Sequence, residues 1–412
     1  MDKFIEDLFD ILKINTVYND DALPFGSGNI KCLNLMLDKG KEAGFNTKNI
    51  ENYCGYIEYG EGSEMLGVLC HIDVVEADPD KWRTNPFIPE IIDNKIYARG
   101  IQDDKGPLMA SFYALKELKE EGFIPNKRVR LIMGCNEESG SLCMEKYKEL
   151  EEEPTIAFSP DAEYPVIFGE KGRMVVKISG KIDSVIKEFH AHQAYNIVPS
   201  YAKAITDKTY EYFGKAGHAM NPKLGVSAID LAIDDLAMKY DDKFINFLDK
   251  YFTHDTEGKK TGIESGDLVM GNLTANFAVM DIKDNNVEMY FDYRIPFNEC
   301  KNLILCNLRG IVKELKLEVE CLSFNEVHLV KEDSFLVQSL LKAYQKNTND
   351  YESKPLTIGG GTYAKCFKNA VAFGTKFPSD EEVCHIDNEY VDIDKLKLNI
   401  KIIKDAIKEL TK

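Results

Sequence analysis

GPLMASFYALKELKEEGFIPNKRVRLIMG, residues 106–134, is the stretch whose reading decides the fold. Residues 106–122 place apolar side chains at helical spacing. Pro107 suits a first helical turn and Gly122 a C-cap. RVRLIMG (128–134) then reads as a buried strand. Strand-sized apolar runs stand on either side: MLGVLCHI (65–72) and KIYARG (95–100) before it, and TIAFSPDAEYP (155–165), which runs from a strand into a turn, after it. Strands alternating with helices predict an α/β fold, with a mostly parallel sheet and helices on both faces. Such sheets gather ligands beyond the carboxyl ends of their strands.

Past Lys171 the texture changes. MVVKISGKI and NVEMYFDYRIPF alternate like strands with one wet face, and VSAIDLAIDDLAMKY (226–240) between them is helical. The α/β texture returns with SFLVQSLLKAYQK (334–346) as helix, AVAFG (370–374) as strand and DKLKLNIKIIKDAIKEL (394–410) as a closing helix. The reading is one α/β domain, 1–171 and 327–412, interrupted by an inserted α+β domain, 172–326.

The formal net charge of −18 disfavours nucleic acid and anionic membrane surfaces as partners. The first residues, MDKFIEDLFDILKINTV, are acidic and amphipathic, unlike a signal peptide. No window approaches the ~18 consecutive apolar residues of a membrane helix. The ten cysteines form no CxxC pair, and several lie in apolar runs. They predict reduced thiols in a cytoplasmic protein. A metal site here must be built from histidines and carboxylates.

Five such signals follow apolar runs: His71 and Asp73, Asp103 and Asp104, Glu137 and Glu138, Asp161, and His385. The first four have plain alternatives. His71 suits a hydrogen-bonded strand-end histidine, DDKG a helix N-cap, the glutamate pair a solvated turn, and SPDAE turn chemistry. Together they would bring at least four carboxylates into one crevice, which is untenable without cations. Two divalent ions supply the missing charge, and this donor set suits zinc first, then manganese or cobalt.

HIDVV, WRTNPFIPEI, YARGIQDDKGP, NEESG, SPDAEYPVIFGEKG and GGGTYAKCFKNAVAFG…CHIDNEYV, taken in this order, resemble the carnosinase/aminoacylase (ArgE/DapE-like) group of two-metal peptidases. Within that group the chain resembles PepV-type dipeptidases. The resemblance implies that His71 and Asp161 hold one metal, Glu138 and His385 the other, and Asp103 bridges them, with Asp104 the alternative bridge. It implies that Asp73 orients His71 and that Glu137 is the general base for a metal-bridging water. It makes the insert a lid, whose GKAGHAMNPKLGVSAI (214–229) carries His218 as oxyanion donor. Asn196, Arg294, Gly360 and Thr362 become candidate substrate contacts, with Arg294 suited to a substrate carboxylate. Two departures bear on specificity: Lys365 stands where relatives often carry arginine, and the lid is short.

The function this implies is metal-dependent hydrolysis of dipeptides with a free amino terminus, Xaa-His or broader, by a monomer or homodimer acting on small peptides. The alternatives are an N-acyl amino acid deacylase on the same scaffold and a non-catalytic metal- or peptide-binding relative.

Overall fold

A computed structural model describes residues 2–412. The chain forms two compact units. Among the described residues the first comprises 2–168, 329–356 and 362–412; the second comprises 169–328 and 357–361.

Seven strands of the first unit's sheet lie side by side in the order Asn46–Ile50, Cys54–Tyr59, Arg128–Gly134, Met65–His71, Ile156–Ser159, Ala370–Ala372 and Ile167–Glu170. The four central strands are parallel. Asn46–Ile50 and Cys54–Tyr59 make an antiparallel hairpin at one edge, which the sequence reading does not contain. Met65–His71 is buried along its whole length, the pattern of a strand covered on both faces. In register, His71 lies opposite Gly134, and Ser159 opposite Ala372. The four central strands therefore present their carboxyl ends along one edge, as the α/β reading requires.

The quoted helix runs Lys105–Glu120. It ends where Gly122 takes a left-handed φ of 73° and the N–H groups of Gly122 and Phe123 turn back to Lys119 and Leu118. That is the hydrogen-bond pattern of a glycine-terminated helix. Leu108, Met109, Phe112, Leu115 and Leu118 are buried along it. Each contributes roughly 1.5–3 kcal/mol relative to exposure. The closing helix Ile393–Leu410 packs against it.

The second unit has an antiparallel seven-stranded sheet, which includes Thr274–Lys283, Asn286–Ile295 and Gly172–Lys181 as neighbours. Val287, Met289, Phe291, Tyr293 and Ile295 alternate into its core. Glu288, Tyr290, Asp292 and Arg294 take the opposite face in the same period of two, the first two half-buried and the last two buried. Helices Ala228–Lys239, Lys243–Tyr251 and Cys300–Val312 supply the other half of that core. Among the described residues no cysteine is disulfide-bonded, and no helix is long and apolar enough to cross a membrane.

Candidate metal centre

Because the parallel strands end along one edge, His71, Glu138 and Asp161, which end or follow three of them, meet Asp103 and His385 there, carried by the loops 98–104 and 377–389. His71 Nε2 lies 2.8 Å from Asp103 Oδ1 and 3.7 Å from Asp161 Oδ2. His385 Nε2 lies 2.9 Å from Asp103 Oδ2 and 3.1 Å from the Glu138 carboxylate. Asp103 thus stands between the two imidazoles, one oxygen toward each. Asp104 faces elsewhere: its Oδ2 accepts the His71 main-chain N–H at 2.9 Å.

The His71 ring is fixed by its other nitrogen. Nδ1 lies 2.9 Å from the main-chain carbonyl of Asp73. A carbonyl only accepts, so Nδ1 carries the proton and a neutral ring presents its lone pair at Nε2. The Asp73 carboxylate has a further job. Its two oxygens accept the main-chain N–H groups of Glu137 and Glu138, each at 3.0 Å. One buried side chain therefore holds both members of the adjacent glutamate pair. Gly134 leaves the room this edge needs, since a Cβ there would sit 2.1 Å from the hydroxyl of Tyr363. That tyrosine packs edge-on against His71.

Ligand atoms of His71, Asp103 and Glu138 lie within 4.8 Å of one another, as do those of His71, Glu137 and Asp161. Without a cation these charges sit badly. Burial pushes Glu137 well above the usual carboxylate range, and Glu138 and Asp103 push it further. Burial and Asp103 do the same to Asp161. Burial opposes charge on Asp103, yet its two imidazole partners hold it below that range. Burial likewise opposes charge on His71, but Asp103, Asp73 and Asp161 outweigh it and hold the ring well above the histidine range. Burial is also outweighed at His385, which Asp103 and Glu138 raise to about 11. A site that pushes carboxylates toward protonation and histidines toward charge lacks positive charge. Imidazole nitrogens and carboxylate oxygens at this spacing fit divalent cations.

The remaining candidates divide between the units. In the second unit the Asn196 main-chain oxygen accepts the Ala219 N–H at 2.8 Å, and Ile197 bridges to His218. His218 Nδ1 accepts the Met220 N–H at 3.1 Å, so the neutral ring carries its proton on Nε2, as a donor. Arg294 is already engaged. Its Nε donates to Asp292 Oδ1 at 2.7 Å and its Nη1 to the Gly359 carbonyl at 2.8 Å, beside Gly360. Arg173 Nε shares the same Asp292 at 2.6 Å. Thr362, in the first unit, caps the turn Tyr363–Cys366 by accepting the Ala364 N–H at 3.1 Å.

Glu389 lies within CHIDNEYV, but the sequence reading gives it no role. It is fully buried, paired with Arg99 at 2.7 Å, and its oxygens accept main-chain N–H groups leading up to Asp103. The one sequence signal was its place four residues after His385.

The sequence pattern of Peptidase family M20/M25/M40 matches residues 67–409. The chain belongs to this family. It is a metal-dependent peptidase, and the donor cluster above lies within the matched span. This M20 peptidase is 34% identical to a Staphylococcus epidermidis protein named "Putative dipeptidase", over 98% of this chain and 96% of that one. It is also 34% identical to "Putative dipeptidase YtjP" of Bacillus subtilis, over 99% and 97%. Its fold is shared with human carnosine dipeptidase 1 (TM-score 0.66, 14% identity, covering 100% of this chain and 96% of that one). The di-peptidase Dug1p of Saccharomyces cerevisiae is equally similar (TM-score 0.66, 14% identity, 99% and 96%).

Proposed function

We propose that this M20 peptidase is a dipeptidase acting on substrates with a free amino terminus, Xaa-His among them. The observation that carries the reading is Asp103, whose two oxygens face His71 and His385 inside a ring of carboxylates. His71 and Asp161 would hold one divalent cation, Glu138 and His385 the other, and Asp103 both. Zinc fits best, with manganese or cobalt as substitutes. Bound cations would polarise the scissile carbonyl and acidify water.

The chain's own groups do the rest. Glu137 takes the proton of the attacking water and returns it to the leaving amine. Its main chain is held by Asp73, which fixes where the side chain starts. Asp73 also fixes the His71 tautomer through its carbonyl. His218 donates from Nε2 to the oxyanion. Asn196, Gly360 and Thr362 would contact substrate. Arg294 acts there in part through the Gly359 carbonyl it holds. The segment 172–326 would serve as the lid of the catalytic remainder. Ten cysteines without a disulfide suit a reducing compartment, and we place the protein in the cytoplasm.

A free α-ammonium is welcome in a carboxylate-lined crevice, whereas an N-acyl group brings no compensating charge. Comparing kcat/KM on a dipeptide panel with N-acetyl and N-succinyl amino acids tests this. Dipeptides are expected to be preferred by at least tenfold, and the reverse preference would make the enzyme a deacylase. His218→Ala is expected to keep its metal and lower kcat by about 10²–10³, the loss typical of one oxyanion donor. A near-normal kcat would remove His218 from the chemistry.

A further inference from the structure

Glu389 takes part in none of the steps above, yet few side chains in the molecule are more completely engaged. Its Oε2 accepts Arg99 Nη1 at 2.7 Å and the Gly100 N–H at 3.0 Å. Its Oε1 accepts the N–H groups of Gln102 at 2.7 Å and Asp103 at 3.3 Å. Every donor belongs to residues 99–103, the irregular link between the strand Lys95–Tyr97 and the helix Lys105–Glu120. Such a link has no ladder to satisfy its amides, and buried amides need partners. Glu389 is itself held in place. Its carbonyl accepts the Ala98 N–H at 3.3 Å, and the strand that follows it, Tyr390–Asp392, pairs with Lys95–Tyr97. The segment carrying His385 and the link carrying Asp103 are thus joined through one carboxylate.

We infer that Glu389 is a positioning residue. It fixes the 99–103 link so that Asp103 meets His71 and His385 together, and this sets the affinity of the centre for divalent cations. A carboxylate is an odd choice for a purely structural brace here, because it adds negative charge beside a crowded acidic cluster and needs Arg99 as a buried counter-ion. The same charge is useful if the cluster's purpose is to attract cations. The inference rests on reading Asp103 as a metal ligand.

Glutamine cannot replace this side chain. Each Glu389 oxygen accepts two N–H donors, so either orientation of an amide points its NH₂ at two N–H groups. The test is calorimetric titration of metal-free protein with Mn²⁺ alone, with circular dichroism and Tm recorded for each variant. Glu389→Gln is expected to stay folded and bind Mn²⁺ about 10–100-fold more weakly, the range seen when groups supporting metal ligands are lost. Glu58→Gln is the control. It breaks the pair with Arg130 (2.7 Å), which lies away from the 99–103 link. It should lower Tm and leave Mn²⁺ affinity unchanged. Wild-type affinity in Glu389→Gln overturns the inference, and so does equal weakening in Glu58→Gln. If Glu389→Gln does not fold, Glu389→Asp, which keeps the charge opposite Arg99, is read in its place. Failure of both to fold makes Glu389 a determinant of the fold and overturns a positioning role. If the wild-type chain itself binds no Mn²⁺, the reading of the centre falls and takes the inference with it.

Discussion

Glu137→Gln is expected to keep its metal and lose at least about 10²–10⁴ in kcat, the usual consequence of removing a general base. The amide matches the carboxylate in size and leaves the main-chain N–H at Asp73 untouched, so the site should keep its shape. What disappears is the acceptor for a proton. The neighbouring Glu138→Gln is expected to behave differently. It removes a carboxylate from the partners of His385, so metal affinity should fall and added metal should partly restore the rate. The contrast matters because a Glu137 oxygen also lies in a donor group with His71 and Asp161. Elemental analysis beside steady-state kinetics, with and without added metal, separates the roles. Loss of metal in Glu137→Gln but not in Glu138→Gln would exchange them.

Stripping the metal from the wild-type enzyme is expected to abolish turnover, and zinc, manganese or cobalt should restore it. The cause is electrostatic as much as catalytic. Without cations the site holds Asp73, Asp103, Asp104, Glu137, Glu138 and Asp161 against two histidines. The carboxylates at 137 and 161 are then pushed toward protonation, and a protonated Glu137 cannot act as a base. Metal that binds only the folded state should also raise Tm. A free concentration a hundredfold above Kd is worth about 2.7 kcal/mol. Full activity in rigorously metal-free protein would sink the mechanism.

The fold class was legible because strand and helix periodicities alternate cleanly from 65 to 165, and because polar residues recur just where apolar runs stop. The edge hairpin was harder to read. NTKNI is mostly exposed in the sheet, so it carries no apolar alternation to recognise. At the centre, the residue types and their strand-end positions were visible, but their second partners were not. Asp73 holding two glutamate amides, and Glu389 holding a link 286–290 residues away, are side-chain to main-chain bonds between distant segments. No local pattern encodes them. Asp103 and Asp104 differ in side-chain direction, one toward the two imidazoles and the other toward the His71 main chain, which adjacent residues at the start of a helix do not reveal by spacing. Arg294 shows the same limit. A planar fork suits a carboxylate, and the sequence could not say that Asp292 of the same strand would be the one to take it.

The order in which the strands are made differs from the order in which they lie. Ala370–Ala372 sits between Ile156–Ser159 and Ile167–Glu170, so its neighbours leave the ribosome long before it does. Residues 171–369 are synthesised in between, a delay on the order of tens of seconds at ordinary elongation rates. During that time Ile156–Ser159 is an edge of the growing sheet with one flank of its main chain unpaired, the kind of edge that invites association with other chains. His385 emerges later still. The cluster around Asp103 therefore cannot be complete before residue 385 is made. A chain broken off before residue 370 is left with an open sheet edge and without His385.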